Sequence, residues 1–367
     1  MRLRSLFILS LLIGLLGLAT SIYLRPFEQI KATGPAPIRG SYHIHTSASH
    51  DGVSTPGQLT QAAQELGLQF LVVTDHNTPG LATGHSNLIV LTYPELSTPF
   101  GHVVGFGLKQ GLSAPLRKEP WVLKEIQSRG GKAILAHPTR RRNPWQGSWE
   151  NVGGVEIHNI ADQVQNDPMR ALEFLLTLPF HAELALAHLF KRDAKALSRW
   201  DDFSDPQVIG VCANDSHGRF GATNEIGLWK LELNAPWPED VKGRNFSAIH
   251  SLATGSFHCS SSIIEHGGGF NFSALLINGE TRQTGQTVSQ AEIESLIIQS
   301  PSLETDSASM VLLRNGEAIA RSTQKTFEYR KPTPGTYRVE VHLGVPGILG
   351  GQESIPVIYS NKIRVRD

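Results

Sequence analysis

From about residue 40 to 265, short apolar runs alternate with stretches of helical period. The runs Ser41–Ile44, Gln69–Val73, Leu88–Thr92, His102–Phe106, Lys132–Ala136, Gly154–Ile157 and Val208–Ala213 predict strands. Val72-Val73 and Ile134-Leu135 sit in unbroken apolar stretches, the pattern of strands buried on both faces. Between the first two runs, Thr55-Pro56 supplies an N-cap and a first-turn proline. Leu59, Ala62, Ala63 and Leu66 recur at helical spacing, and Gly67 stops the helix. Asp167-Pro168 opens another helix, with Met169, Leu172 and Leu176 on one face. Strands alternating with helices predict a parallel α/β sheet, closed as a barrel. After Gly267-Gly268-Gly269 the texture changes. Ala274–Ile277, Met310–Arg314, Thr326–Tyr329, Tyr337–Leu343 and Ile363–Val365 predict short strands, with Asn315-Gly316 and Pro334-Gly335 as turns, and together a β-sandwich.

The N-terminus reads differently. Leu6 to Leu24 carries no charge and lies between Arg4 and Arg25. At 1.5 Å per residue it would span about 28 Å, close to the hydrocarbon thickness of a bilayer. The expectation is a transmembrane anchor that leaves the catalytic body outside the cytoplasm, periplasmic or extracellular, with a cleaved signal peptide and a secreted protein as the alternative. The expected division is 1–26 anchor, 27–39 Pro/Gly linker, 40–266 barrel and 267–367 sandwich.

Composition narrows the chemistry. The chain has 367 residues, 33 Lys+Arg and 33 Asp+Glu, so no net basic field gathers extended nucleic acid. Two cysteines exclude a disulfide scaffold and any four-cysteine zinc site, and Cys212 and Cys259 are expected as buried thiols. Fifteen histidines are many, and their placement carries the argument. His43-Ile44-His45 closes the first predicted strand, where i and i+2 point to one side. Asp51-Gly52 follows. Asp75-His76-Asn77 closes the second strand and Glu95 follows the third. His102 begins a fourth, His137-Pro138 closes the fifth, and Asp215-Ser216-His217 closes the last. In parallel barrels the C-terminal strand ends share one face. Six histidines and three carboxylates meeting there suit two or three cations, and N/O donors without sulfur suit Zn, Mn or Fe.

In this order, His43-x-His45 with Thr46, Asp51-Gly52, Thr74-Asp75-His76, Glu95, His102, Gly131–Pro138 and Asn214–His217 resemble the PHP (polymerase and histidinol phosphatase) superfamily, over residues 40–260. Segment order and spacing look most like its exported or carbamate-ester-hydrolase branch. The resemblance implies a distorted (β/α)7 barrel and a site of up to three metals. His43, His45 and Asp215 would hold the first, and His102 and His137 the second, with Glu95 bridging the two. Asp51, His76 and His217 would hold the third. It also implies an ester hydrolase in which metal-activated water attacks, with His217 or His76 as the candidate acid. A small phosphorylated ester is the favoured substrate; a carboxyl or carbamate ester is the alternative, and a metal-holding binding protein comes third.

Other residues carry narrower expectations. Arg140 and Arg141, in the triplet after His137-Pro138, could grip a phosphate. His158 and Asn159 could contact substrate. Asp75 could orient a ligand histidine from behind. His50 and His85 read as surface residues. No protein partner is indicated.

Overall fold

The computed structural model describes every residue except 1–9, 12, 19, 21, 23–26, 81–86, 306 and 348–350; His85 and much of the expected anchor lie outside the described residues. The helix Pro56–Glu65 begins as the pattern requires. Thr55 accepts from the Gln58 amide while the Gln58 side chain caps back, and Leu59, Ala62 and Ala63 are buried. Gly67 takes φ +62, the left-handed turn that ends it.

Strands β1 (Ile38–Ile44), β2 (Phe70–Val73) and β3 (Ile89–Thr92) pair in parallel. Next come β4 (Glu95–Thr98), β5 (Gly101–Phe106), β6 (Lys132–Ala136), β7 (Gly154–Asn159) and β8 (Ile209–Ala213), which form a separate five-stranded sheet in that order. Its β4–β5 and β5–β6 pairs are antiparallel, and only β6, β7 and β8 run parallel. Strands β9 (Trp229–Leu233) and β10 (Phe257–Ser261) are antiparallel to each other, and β9 is antiparallel to β1.

The expected closed (β/α)7 barrel is therefore not the architecture. β9 occupies the outer side of β1 along Ile38–Gly40, and the β4–β5 hairpin interrupts the parallel succession. Backbone bonds do sew the ends of β1 and β8 together: Asn214 N to Tyr42 O at 3.2 Å, Ser216 N to His43 O at 3.1 Å and His45 N to Ser216 O at 2.8 Å. These bonds set the site; they do not form a barrel wall.

The C-terminal strands are β11 (Asn271–Leu276), β12 (Thr281–Gln283), β13 (Thr287–Ser289), β14 (Ile293–Gln299), β15 (Ser309–Arg314), β16 (Glu317–Ser322), β17 (Thr326–Arg330), β18 (Gly335–Pro346), β19 (Gln352–Ser360) and β20 (Ile363–Arg366). Only β12-β11-β14-β17 form a sheet of their own. The others join β1, β2 and β3 in one eleven-stranded sheet, because β19 pairs with β10 from His258↔Ser360 to Ser260↔Ile358. The expected separate sandwich is corrected accordingly: one apolar core runs from Tyr42 through Phe272 and Leu296 to Val365. A buried Arg338 reinforces the join, with Nε and Nη2 at 2.7 and 2.8 Å from Asp201 and Nη1 at 2.7 Å from Glu340.

Among the described residues no helix is long and apolar enough to cross a membrane. At the end of the N-terminal segment, Ile22 is buried against Leu184, with Leu18 and Phe27 packed beside them. The expected transmembrane anchor is therefore not supported, nor is the placement outside the cytoplasm that was inferred from it. The helix Pro168–Thr177 forms with Asp167 as its cap, but Met169, Leu172 and Leu176 face outward, Met169 at 64% exposure.

Candidate metal centre

The strand ends deliver their polar residues through strained backbone. In the β1–β2 pairing Tyr42 faces Val72 and Ile44 faces Val73, so His43 is an extra, bulged residue with φ +64. His137, just past β6, has φ +32, and Asp215, just past β8, has φ +50. L-residues rarely hold such conformations, and strain of this kind concentrates at functional sites. The two histidines of His43-x-His45 thus meet through a bulge rather than through simple alternation along a strand.

Their Nε2 atoms lie 3.2 Å apart. Asp215 Oδ1 is 3.3 Å from His43 Nε2 and 3.4 Å from His45 Nε2; Glu95 Oε2 is 3.5 and 3.3 Å from the same atoms. Four donors about 2.1 Å from one tetrahedral cation would lie about 3.4 Å from each other, and these five separations cluster around that value. On its other side Glu95 offers Oε1 to His102 Nδ1 at 2.9 Å and to His137 Nε2 at 3.1 Å. Asp51 Oδ2 sits 3.1 Å from His76 Nε2 and 3.2 Å from His217 Nε2. Five overlapping groups could hold metal ions: His43, His45 and Asp215; Glu95, His102 and His137; His45, Asp51 and His217; His45, His76 and Glu95; and His50, Asp51 and His76. All nine ligand-type residues singled out in the sequence are brought together here. His50, 74% exposed, stands at the rim with its ring 4.8 Å from that of His76.

The electrostatics point the same way. Burial works to lower the His43 pKa, but Glu156, Asp215 and Glu95 together raise it well above the usual histidine value. His45 is likewise opposed by burial yet carried up to about 9 by hydrogen bonds with Asp215 and Glu95. Burial pushes the Glu95 and Asp215 carboxyls up, and the surrounding histidines overcome it and hold both well below the usual range. The pocket demands positive charge, which either protons on its rings or cations can supply. Asp215 Oδ2, His45 Nδ1 and His137 Nδ1 are buried and make no hydrogen bond among the described residues.

Supporting residues fix the rings. His217 Nδ1 donates to the Asp215 carbonyl at 2.8 Å, leaving Nε2 as acceptor toward the centre. Ser97 Oγ lies 3.2 Å from His76 Nδ1. Glu225 braces the last loop, accepting from Ser216 Oγ and from the amides of His217, Gly218 and Phe220 at 2.7 to 2.9 Å. Glu156 accepts from His43 Nδ1 at 2.5 Å. Sequence reasoning gave no role to Ser97, Glu225 or Glu156. For Glu156 a signal existed: a carboxylate inside the apolar run Gly154-Val155-Glu156-Ile157.

Several expectations are corrected. Asp75 orients no histidine ring; its carboxylate accepts from Thr46 N at 2.6 Å and Thr46 Oγ1 at 2.7 Å, and so anchors the chain just after His45. His158 is fully buried. It accepts from Trp229 Nε1 at 3.0 Å through Nδ1 and donates to Lys191 O at 3.2 Å, because a β7 register shift between Glu156 and His158 sends the two side chains to different neighbours. Asn159 caps the helix Ile160–Asn166 and donates to Glu156 at 2.9 Å. Arg140 is held by Asp162, Nε to Oδ1 at 3.2 Å, whereas Arg141 is exposed. Both nitrogens of His76 and of His217 are engaged, so neither ring is free to serve as the acid. Cys212 and Cys259 are free buried thiols, with Cys212 N 3.1 Å from Cys259 Sγ.

No family model matches the chain. An uncharacterized protein of Methanocaldococcus jannaschii is similar, 27% identical over an alignment of 117 positions that covers 28% of this chain and 68% of the relative. That likeness brings no activity with it.

Proposed function

We propose that this chain is a metal-dependent hydrolase of small phosphate esters, akin to the PHP superfamily that its motifs resemble. The observation that carries the reading is the convergence of six histidines and three carboxylates, from loops far apart in sequence, at separations suited to cation binding. His43, His45 and Asp215 would hold one ion and His102 and His137 another, with Glu95 between them; Asp51, His76 and His217 would hold a third. Zn, Mn or Fe fits such donors. Divalent cations there supply Lewis acidity and an acidified water at neutral pH.

The chain's own residues do the rest. The hydrogen bonds of Glu156 and of the Asp215 carbonyl to Nδ1 fix the ring orientations, so the Nε2 atoms of His43 and His217 face the centre. Arg140 follows His137 by three residues, with its amide bonded to the His137 carbonyl at 3.1 Å. Asp162 holds its Nε, so the terminal guanidinium nitrogens can receive an anionic oxygen.

The test is elemental analysis of the purified chain, with turnover of a phosphomonoester, a phosphodiester and a carboxyl ester in parallel. Two or three ions per chain and phosphate-ester turnover, both lost in His43→Ala and Asp215→Ala, are expected. Full metal with turnover of the carboxyl ester alone would transfer the site to carboxyl- or carbamate-ester hydrolysis. Absence of metal after reloading with Zn or Mn would refute the hydrolase.

A further inference from the structure

We propose that Glu156 is the positioning residue that couples the two inner cation positions, a role that rests on the metal-centre reading above. Glu156 is buried on β7, and both of its oxygens are spent on protein donors. Oε1 accepts from His43 Nδ1 at 2.5 Å. Oε2 accepts from the His137 amide at 2.8 Å and from Asn159 Nδ2 at 2.9 Å. With no oxygen left over, Glu156 serves the centre by placing ligands.

It places two of them in different ways. The bond to Nδ1 fixes the His43 tautomer and turns Nε2 toward His45 and Asp215, the first grouping. The bond to the His137 amide secures a backbone at φ +32, whose side chain reaches Glu95 in the second grouping. His43 itself sits at φ +64. One carboxylate thus holds two strained residues that face two different ion positions across Glu95, and it supplies the restraint that such conformations need. The third grouping does not depend on it. His217 and its loop are braced by Glu225, and Asp51 is oriented by Ser49 Oγ at 2.7 Å. The structure therefore assigns separate supports to the inner pair and to the outer position.

The prediction is selective. Glu156→Gln keeps the volume but offers one acceptor oxygen where two are used, and it sets an NH2 group against one of the donors. Partners of this kind typically change metal affinity 10- to 100-fold. Calorimetric titration of the metal-free full chain with Mn²⁺, checked by elemental analysis, should show the inner ions bound 10- to 100-fold more weakly in Glu156→Gln. The ion at Asp51, His76 and His217 should keep its wild-type affinity. Adding Asp51→Asn to Glu156→Gln should weaken the remaining ion as well. In the metal-free wild type, NMR should show a strongly deshielded His43 Nδ1 proton that Glu156→Gln loses, a signature that general destabilisation would not produce selectively. Circular dichroism confirms that each variant is folded. Equal affinities for every ion in wild type and Glu156→Gln would overturn the role of Glu156 while leaving the metal centre intact. A wild type that binds no Mn²⁺ or Zn²⁺ would overturn both.

Discussion

Withdrawing the cations proposed for this centre should cost the protein stability as well as the proposed activity, by an amount that follows from the site. A ligand present at 100 times its dissociation constant stabilises the folded state by about 2.7 kcal/mol. Three ions, at His43/His45/Asp215, at Glu95/His102/His137 and beside Asp51 where its Oδ2 meets His76 and His217, would contribute about 8 kcal/mol. The apolar core is continuous from Tyr42 to Val365, so the chain should unfold as one unit. For 367 residues at about 2.1 cal/mol/K each, the unfolding entropy near 60 °C is about 0.8 kcal/mol/K, so each kcal/mol moves the melting temperature by about 1.3 °C. Chelation should then lower the melting temperature by about 10 °C, and reloading with Mn²⁺ or Zn²⁺ should restore it. Protons taken up by His43 and His45 replace part of the lost positive charge and trim the fall. Scanning calorimetry of loaded, chelated and reloaded protein, with elemental analysis of each sample, makes the measurement. Asp215→Asn should show a smaller drop, having less metal to lose. Loaded and chelated samples that melt within about 1 °C, despite proven loss of metal, would refute the reasoning.

Three further outcomes are expected. His158→Ala should leave the KM for a phosphate ester unchanged but cost about 3 kcal/mol in urea unfolding, because it opens a cavity and orphans the Trp229 N–H; a raised KM at full stability would contradict the buried role. Arg338→Met leaves the Asp201 and Glu340 carboxylates without their shared partner and should cost about 3 to 5 kcal/mol by denaturant midpoint, a loss under 1 kcal/mol being inconsistent with a working join. Burial pushes the Glu232 carboxyl up, but His258, Lys230 and Ser260 overcome it and bring the pKa to about 2, below the ordinary 4.5. A depressed carboxylate contributes stability that is present above pH 4.5 and is lost as pH falls toward 2. The wild type should therefore lose about 3 kcal/mol over that window relative to Glu232→Gln, measured by urea unfolding of chelated samples, and a pH-independent difference would refute it.

Much of the candidate site was legible in the sequence because its chemistry is local. A histidine or carboxylate that ends an apolar run betrays a polar strand end, whatever the strand pairs with. The same holds for the helix Pro56–Glu65, whose Thr55 cap, Pro56 start and Gly67 stop are set by neighbouring residues alone. Where local pattern misled, the deciding interaction was distant. The apolar face of Pro168–Thr177 has helical spacing, yet nothing in the pattern says that Met169 and Leu172 stay exposed. The arginine triplet reads as one basic loop, but only Asp162 separates Arg140 from Arg141.

By itself, then, the sequence determined many of the strands, the ends of the helix Pro56–Glu65 and which side chains could hold metal, since these depend on residue type and short-range spacing. The tertiary structure alone decided that β9 flanks β1, that β19 extends the same sheet to the C-terminal strands, that a bulge turns His43 inward and that Glu156 holds it there. The physical reason is that period and propensity fix a strand's faces but not its edges: backbone N–H and C=O groups are alike in every strand, and partners are chosen by the packing of residues hundreds of positions apart.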